Sequence, residues 1–311
     1  MNACVPKGHP VILATMAIEK KRLKVKIRLD SDPTRIYDAI TNPLKLAIWF
    51  CNKSEINLKL RGAVHFWGDD CVATTFKEKE IKGAIIALEP NRQMRFTWPI
   101  NGTISEVGFQ IDDRGRYCDL IVSHDKVPPN ALIMDAWIIY LYNLQSLLKL
   151  QRPAYRLDYS RLDTGVIKRE LFIEALPNVV YRALTDVADL RVWFSKDAEC
   201  EPVVGGKYTT GWKDKAGQPA GPREIKELVE NKKLVYDWDF AEEGKSGDLV
   251  TWELLRIGER TRVNLRHSGF DPARYNKDYV QGWHAYMLTL KDFCESGGQL
   301  SYGVIDGDWG V

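Results

Sequence analysis

The sequence predicts an α+β protein made of two tandem domains, each a curved antiparallel sheet wrapped around a long C-terminal helix. Three observations support this prediction. The chain has 311 residues, which exceeds the usual size of one hydrophobic core and suits two units of roughly 100 to 200 residues. Its motifs occur twice along the chain. Between them, apolar and polar residues alternate as they do in half-buried strands.

A long internal repeat relates the two halves of the chain. The stretches AITNPLKLAIWF (39–50) and ALTDVADLRVWF (183–194) align at a separation of 144 residues, taken from their paired threonines (185 − 41). Further along, MRFTW corresponds to LVYDW, VGFQI to VTWEL, and His124 to His267. The separation then drifts slightly, as small loop insertions produce. We therefore expect domains at 20–150 and 168–296, a linker at 151–167 and a tail at 297–311.

Each copy has the same order of elements. An alternating strand comes first, at 20–29 in one copy and 168–175 in the other. Two short helices follow, with Pro177 in a first turn and Asp186 as a cap or breaker between them. In the second copy, strands are predicted at 207–212, 223–230, 233–240, 248–257 and 261–268. A closing helix is predicted over 272–294, and the Gly-rich, acidic tail after 296 is expected to be disordered.

Composition excludes several classes of function. Apolar residues make up 45%, charged residues 28%, and the net charge is +2, so no nucleic-acid partner is expected. The six cysteines form no CxxC pair and the five histidines have no ligand spacing, so we expect free thiols, no metal and no cofactor. The apolar stretch at 11–17 is too short for a membrane span. No membrane insertion and a cytoplasmic location are therefore the expectation.

The second copy resembles a known superfamily. GGKYTTGW, LVYDWDF, VNLRHSGF and GWHAYMLTLKDF are similar to the signature blocks of the START-like (helix-grip, SRPBCC) superfamily, in the branch related to heat-shock ATPase activator (Aha-type) proteins. The match covers 168–296. Residues 24–150 match more weakly, since SHDKV stands where the family shows HSGF. The resemblance implies two tandem helix-grip domains, each with a pocket between sheet and helix.

Strand alternation indicates which side chains enter that pocket. The candidate ligand-binding residues of the second domain are Tyr208, Trp212, Tyr236, Trp238, Trp252, His267, Trp283 and Met287. In the first domain the pocket candidates are Phe96, Trp98, Phe109, His124 and Trp137. The tryptophans either pack a core or stack on a flat ligand. Gly282, inside the closing helix, either allows close approach of a ligand or of the sheet, or marks a kink.

His267 is the candidate catalytic residue, because it is a titratable group on an otherwise apolar face. Two interpretations are open: a structural hydrogen bond to a backbone carbonyl or a neighbouring tyrosine, or a polar anchor and general acid/base in the cavity. No GxSxG, HExxH, P-loop or GxGxxG motif is present.

Three functions follow from the resemblance. The first is binding of a hydrophobic, aromatic or polyketide-like small molecule in the second domain, in a carrier, sequestration or self-resistance role. The second is a cyclase or aromatase of natural-product biosynthesis, with His267 as acid/base and Tyr236 or Tyr208 orienting the substrate. The third is activation of a chaperone ATPase; no Asn- and Trp-rich motif of the activators' N-terminal domain precedes Lys24. Packing between the two domains is expected, and the oligomeric state is left open.

Overall fold

The computed structural model contains two large antiparallel sheets, each packed against one long helix. It describes residues 21–68, 82–100, 102–127, 133–155, 165–213, 217–240, 245–269 and 277–307. The predicted fold class, α+β with two tandem helix-grip domains, is confirmed. None of the helices in these ranges is long and apolar enough to cross a membrane.

The first domain follows the predicted order of strand, paired helices, strands and long helix. Its elements are β1 (Lys21–Leu29), α1 (Pro33–Thr41), α2 (Pro43–Trp49), β2 (Lys53–Ile56), β3 (Ala63–Trp67), β4 (Gly83–Glu89), β5 (Gln93–Ile100), β6 (Thr103–Asp113), β7 (Cys118–Val127) and α3 (Ile133–Leu150). The strands lie in the order β1-β7-β6-β5-β4-β3-β2.

The second domain repeats this order. Its elements are β8 (Ile167–Ile173), α4 (Pro177–Thr185), α5 (Val187–Trp193), β9 (Glu199–Cys200), β10 (Tyr208–Thr209), β11 (Gly221–Val229), β12 (Lys233–Phe240), β13 (Lys245–Ile257), β14 (Arg260–Ser268) and α6 (Lys277–Glu295). The main sheet runs β11-β12-β13-β14-β8, and β9 pairs with β10 separately. The strand predicted at 207–212 is therefore much shorter than expected, because its backbone turns away at Gly211, whose φ is 75°.

Local signals in the sequence start and stop the paired helices. Asp186 caps α5, since its carboxylate accepts hydrogen bonds from the backbone N–H of Ala188 at 2.8 Å and of Asp189 at 3.1 Å. The predicted cap is thereby confirmed. Asn42 has the same place in the first domain and accepts from Leu44 N–H at 3.0 Å.

The repeated Trp-Phe motif fixes each helix pair by the same contact. The indole N–H of Trp49 donates to the carbonyl of Ala39 at 2.9 Å, and that of Trp193 donates to Ala183 at 2.8 Å. Both tryptophans are buried, so each bond joins the second short helix to the end of the first. The motif therefore specifies architecture in both copies.

The two domains pack through their long helices. Ile138, Ile139 and Tyr142 of α3 form one apolar cluster with Ala285 and Leu288 of α6. At its edge the hydroxyl of Tyr142 donates to the carboxylate of Asp292 at 2.9 Å, and burial followed by this carboxylate raises the Tyr142 pKa.

The expectation of a disordered tail is wrong for residues 302–307. They form β15 (Tyr302–Gly307), which pairs antiparallel with β1 of the first domain, with Val304 opposite Val25. Asp292 holds the start of the tail, because its carboxylate accepts from Ser301 N–H at 2.6 Å. Ser301 in turn accepts from the N–H of Arg28 at 2.8 Å. Pairing satisfies the edge of β1, which outweighs the high glycine content of the tail.

The described cysteines Cys51, Cys118, Cys200 and Cys294 are free thiols. Cys4 and Cys71 lie outside the described residues. The domain boundaries themselves stay a prediction.

Candidate functional site

The aromatic candidates of the second domain meet between the main sheet and α6. The ring of Trp283 lies 5.2 Å from that of Trp238 and 5.9 Å from that of Trp252, centroid to centroid. Tyr236, Trp238, Trp252, Trp283 and His267 are all buried. Their inward orientation, expected from strand alternation, is thus confirmed, whereas their contact with a ligand stays a prediction.

Two buried tyrosines extend this cluster. The rings of Tyr208 and Tyr236 stack at 4.6 Å. The hydroxyl of Tyr208 donates to the carbonyl of Leu184 at 3.0 Å, and that of Tyr236 accepts from the indole N–H of Trp252 at 3.1 Å. Burial raises the pKa of both phenols above the usual value. Both therefore keep their protons at neutral pH and make structural hydrogen bonds.

His267 is held by Trp283 of α6. The indole N–H of Trp283 donates to Nδ1 of His267 at 2.9 Å. A nitrogen that accepts carries no proton, so the neutral ring is protonated at Nε2. Burial lowers the pKa of His267 from 6.5 to about 3. The ring is thus neutral at physiological pH, and the partner of its Nδ1 is a tryptophan, a residue that the sequence prediction of a structural role did not name.

The first domain contains the same pair with a complete chain of hydrogen bonds. Trp137 Nε1 donates to His124 Nδ1 at 3.0 Å, and His124 Nε2 lies 2.8 Å from Ser105 Oγ. The hydroxyl of Ser105 then donates to the carbonyl of Trp98 at 2.7 Å. These side chains are buried, and within this chain both ring nitrogens of His124 and the hydroxyl of Ser105 have hydrogen-bond partners.

Aromatic side chains surround that chain in the first domain. Trp98 stacks on His124 with centroids 5.7 Å apart, and Phe109 meets Trp137 at 5.8 Å. Phe96 lies 6.0 Å from Phe109. All five pocket candidates of this domain are buried at 3% exposure or less.

In the second domain an aspartate replaces the serine of this hydrogen-bonded chain. Val107 pairs with His124 and Val250 with His267, so Asp248 of β13 stands where Ser105 of β6 stands. Asp248 Oδ2 lies 4.0 Å from His267 Nε2, too far for a direct hydrogen bond. A Cβ on Gly269 would lie 2.5 Å from Asp248 Oδ1, so only glycine fits there. Strand alternation placed Asp248 on the inward face, but the sequence prediction did not single it out.

The aromatic side chains at the end of the core next to His267 also differ between the two domains. Trp212 contacts Phe194 and Trp238, each at 5.9 Å, where the first domain has Phe66 against Phe50 and Trp98. Tyr279 covers His267 at 5.2 Å. Tyr279 and Tyr286 of α6 correspond to Ile133 and Tyr140 of α3. Trp212, Tyr279 and Tyr286 are half-buried, whereas Phe66, Ile133 and Tyr140 are buried. Tyr279 and Tyr286 were missed because helix periodicity alone does not identify which end of a domain core is the more exposed.

Met287 and Gly282 lie away from the end of the core where Trp212, Tyr279 and Tyr286 are found. Met287 is buried in the second core. The missing side chain of Gly282 faces the other domain, since a Cβ there would lie 3.6 Å from Asp135 Oδ2 of α3. Gly282 thus accommodates the helix contact between the domains.

A separate groove of about 500 Å³ opens at the other end of the second sheet, by the start of α4. Its lining contains none of the predicted site residues; Leu176, Asn231, Lys232 and Arg256 are among its walls. In the described part of the chain, no group of three or more His, Cys, Asp or Glu side chains could hold a metal ion.

Comparison with protein families identifies both halves of the chain. The family model described as activator of Hsp90 ATPase homolog 1-like protein matches residues 30–149 and 174–295. The chain belongs to this family. Each matched segment contains the paired short helices, most strands of one sheet and its long helix, as the internal repeat predicts.

Solved structures similar to this family member come from several sources. An Aha1 dimer from Colwellia psychrerythraea is 25% identical, with 42% of this chain and 97% of that chain covered and a TM-score of 0.37. DynU16, from the dynemicin biosynthetic locus, is 15% identical, with 88% and 96% covered and a TM-score of 0.37. CalU16 from Micromonospora echinospora is 21% identical, with 41% and 74% covered and a TM-score of 0.35. Comparison with curated proteins gives no match.

Proposed function

We propose that the second domain binds a hydrophobic, aromatic or polyketide-like small molecule between its sheet and α6, in a carrier, sequestration or self-resistance role. The observation that carries this proposal is the half-buried rim formed by Trp212, Tyr279 and Tyr286. The corresponding side chains of the first domain are buried, so the two cores have the same architecture but are closed to different degrees.

The chemistry of the rim suits an aromatic ligand. Its rings lead to Trp238 and then to Trp283, so a flat molecule that entered past Trp212 would meet aromatic faces and edges on several sides. Aromatic pairs contribute about 0.5 to 1.5 kcal/mol each beyond area burial. A ligand that displaced the Trp212 ring would replace one set of such contacts by another.

The properties of His267 favour binding over acid/base catalysis. The cyclase hypothesis requires this ring to exchange a proton near neutral pH. Its pKa of about 3 makes the ring a weak base, and Trp283 occupies Nδ1. His267 therefore suits a fixed hydrogen-bonding role in the cavity.

Activation of a chaperone ATPase remains a separate hypothesis, which family membership motivates. Measuring the rate of ATP hydrolysis by an Hsp90 chaperone with and without the full chain tests it. An unchanged rate would remove this hypothesis and leave the binding proposal intact.

The binding proposal is tested by thermal denaturation of the full chain with aromatic probes of one to three rings, starting with naphthalene. We expect a concentration-dependent rise in Tm, because a ligand that binds only the folded state stabilises it. Trp212→Ala should reduce the rise, whereas Trp67→Ala should leave it unchanged. Trp67 is the matched control, since it is a half-buried tryptophan of the first domain. No rise with any probe, or equal loss in both variants, would refute the proposal.

A further inference from the structure

We infer that the groove beside the start of α4 is a second binding site, which takes a small carboxylate with an apolar body, such as a medium-chain fatty acid. The groove lies at the other end of the second sheet from the rim of Trp212, Tyr279 and Tyr286. The inference is therefore independent of the proposed function, and either of the two can fail alone.

The groove has the size and the walls of a small-molecule site. Its volume is about 500 Å³, within the range of roughly 300 to 1,000 Å³ that is usual for such sites. Its apolar walls come from two elements, with Leu176 and Pro177 at the start of α4 and Leu254 and Leu255 on β13. Leu255 is 46% exposed, so an apolar ligand lying on it would remove hydrocarbon from water.

The charge of the groove favours an anionic end group. Lys232 and Arg256 line it, and none of the described side chains in its lining is acidic. Lys232 has no ion-pair partner among the described side chains. Arg256 donates from Nε to the carbonyl of Gly258 at 2.9 Å and from Nη2 to the carboxylate of Glu259 at 3.0 Å, which leaves three of its five N–H donors. A carboxylate would therefore meet an ammonium and a guanidinium that can both donate to it.

Matching backbone contacts identify the same positions in the first domain. The N–H of Ile111 donates to the carbonyl of Arg92 at 2.7 Å, as that of Leu254 donates to the carbonyl of Lys232 at 2.8 Å. The residue before each of these carbonyls is an asparagine with a positive φ, 62° in the first domain and 58° in the second. The two copies therefore share their backbone here and differ in side chains.

The groove lacks the acids that the first domain has at these positions. Three are replaced: Asp32 by Leu176, Asp112 by Leu255 and Asp113 by Arg256. In the first domain they serve local structure. The carboxylate of Asp32 accepts from the N–H of Arg35 at 3.0 Å, and that of Asp113 accepts from the N–H of Gly115 at 2.8 Å. Exchanging carboxylates for apolar and cationic side chains gives the second domain a surface that attracts an apolar anion, whereas the first domain repels one.

Nitrogen-15 NMR of the full chain, titrated with octanoate, octan-1-ol and octylamine, tests the inference. The three probes share an alkyl chain and differ in the charge of the end group. We expect octanoate to shift the backbone amides of Asn178 and Asn231, which line the groove. Octanoate should bind about 5-fold more tightly than octan-1-ol, as expected for ion pairs at an exposed site, and octylamine should bind most weakly. Added salt should reduce the preference.

Variants of the lining separate charge from folding. Lys232→Gln combined with Arg256→Gln should abolish the preference for octanoate and leave the binding of octan-1-ol unchanged. Arg92→Gln is the matched control, because it removes the cation at the same position of the first domain. Leu176→Asp gives α4 the cap that Asp32 gives α1. It should therefore keep or raise the Tm while it weakens octanoate binding, so that the loss of binding is not a loss of folding.

Several outcomes would overturn the inference and leave the proposed function standing. They are equal affinity for octanoate and octylamine, no amide shift with octanoate up to about 10 mM, an unchanged preference in the variant without Lys232 and Arg256, or a lost preference in Arg92→Gln. Shifts confined to Trp212, Tyr279 and Tyr286 would also overturn it, since the octanoate would then bind at the rim.

Discussion

Lowering the pH from 7 to 5 should destabilise the protein in part through His124, in the core of the first domain. Burial lowers the pKa of this ring to about 3, against 6.5 in the unfolded chain. Above about pH 6.5 the ring is neutral in both states and does not lower the free energy of unfolding. As the pH falls from 6.5 toward 3, stability is lost because only the unfolded state takes up the proton. The difference between pH 7 and pH 5 is about 2 kcal/mol for this one group.

The perturbation that isolates this contribution is His124→Gln. The amide can accept from Trp137 and donate to Ser105, so the hydrogen-bonded chain has replacements for both ring nitrogens. Urea unfolding of both proteins at pH 7 and pH 5 gives four free energies. Contributions of other titrating groups cancel in the difference, and the variant should lose about 2 kcal/mol less than the wild type on acidification. An equal loss in both proteins, or an NMR titration of folded His124 near pH 6.5, would refute this account of the core.

Three further predictions concern folding and domain packing. Trp193→Phe should cost about 1 kcal/mol of unfolding free energy, since the carbonyl of Ala183 loses its donor; urea denaturation checks this, and no change would contradict it. A double-mutant cycle of Tyr142→Phe with Asp292→Asn should give a coupling of about 1 to 2 kcal/mol, whereas additivity would show that their bond does not join the domains. A chain ending at residue 300 should lower the Tm and speed hydrogen exchange at the Arg28 amide, which donates to Ser301; unchanged exchange would contradict the role of β15.

Much of the fold was predictable because its signals are local or repeated. Period-two alternation placed Tyr236, Trp238 and Trp252 on the inward face, and they are buried there. A capping residue between two short apolar segments marked the paired helices, as Asp186 shows. The internal repeat then extended each of these assignments to the other copy.

Contacts between distant segments could not be predicted in the same way. The pairing of β15 with β1 joins the end of the described chain to its beginning, whereas the glycine-rich composition of the tail predicted disorder. The partner of His267 comes from α6, and its identity depends on how that helix lies across the sheet. The orientation of Gly282 toward the other domain could not be predicted for the same reason, since periodicity gives the spacing along a helix but not the direction of each face.

The site itself was predicted as a set of aromatic residues but not as an arrangement. Asp248 lies two residues before Val250 on the inward side of β13, so its position was accessible from the alternation. That Asp248 stands at the position of Ser105 could not be predicted, because this comparison needs the register of both sheets. The half-buried rim likewise becomes visible only when the two domains are compared in three dimensions.

The central claim is that the second domain binds an aromatic molecule where the first has a closed core. Fluorine NMR of the full chain labelled with 5-fluorotryptophan tests it most directly, with signals assigned by Trp→Phe substitutions. On titration with naphthalene, the account predicts shifts at Trp212, Trp238 and Trp283, whose rings line the path inward from the rim, and unchanged signals from Trp98 and Trp137. Unchanged signals throughout, or shifts of equal size in both domains, would contradict it.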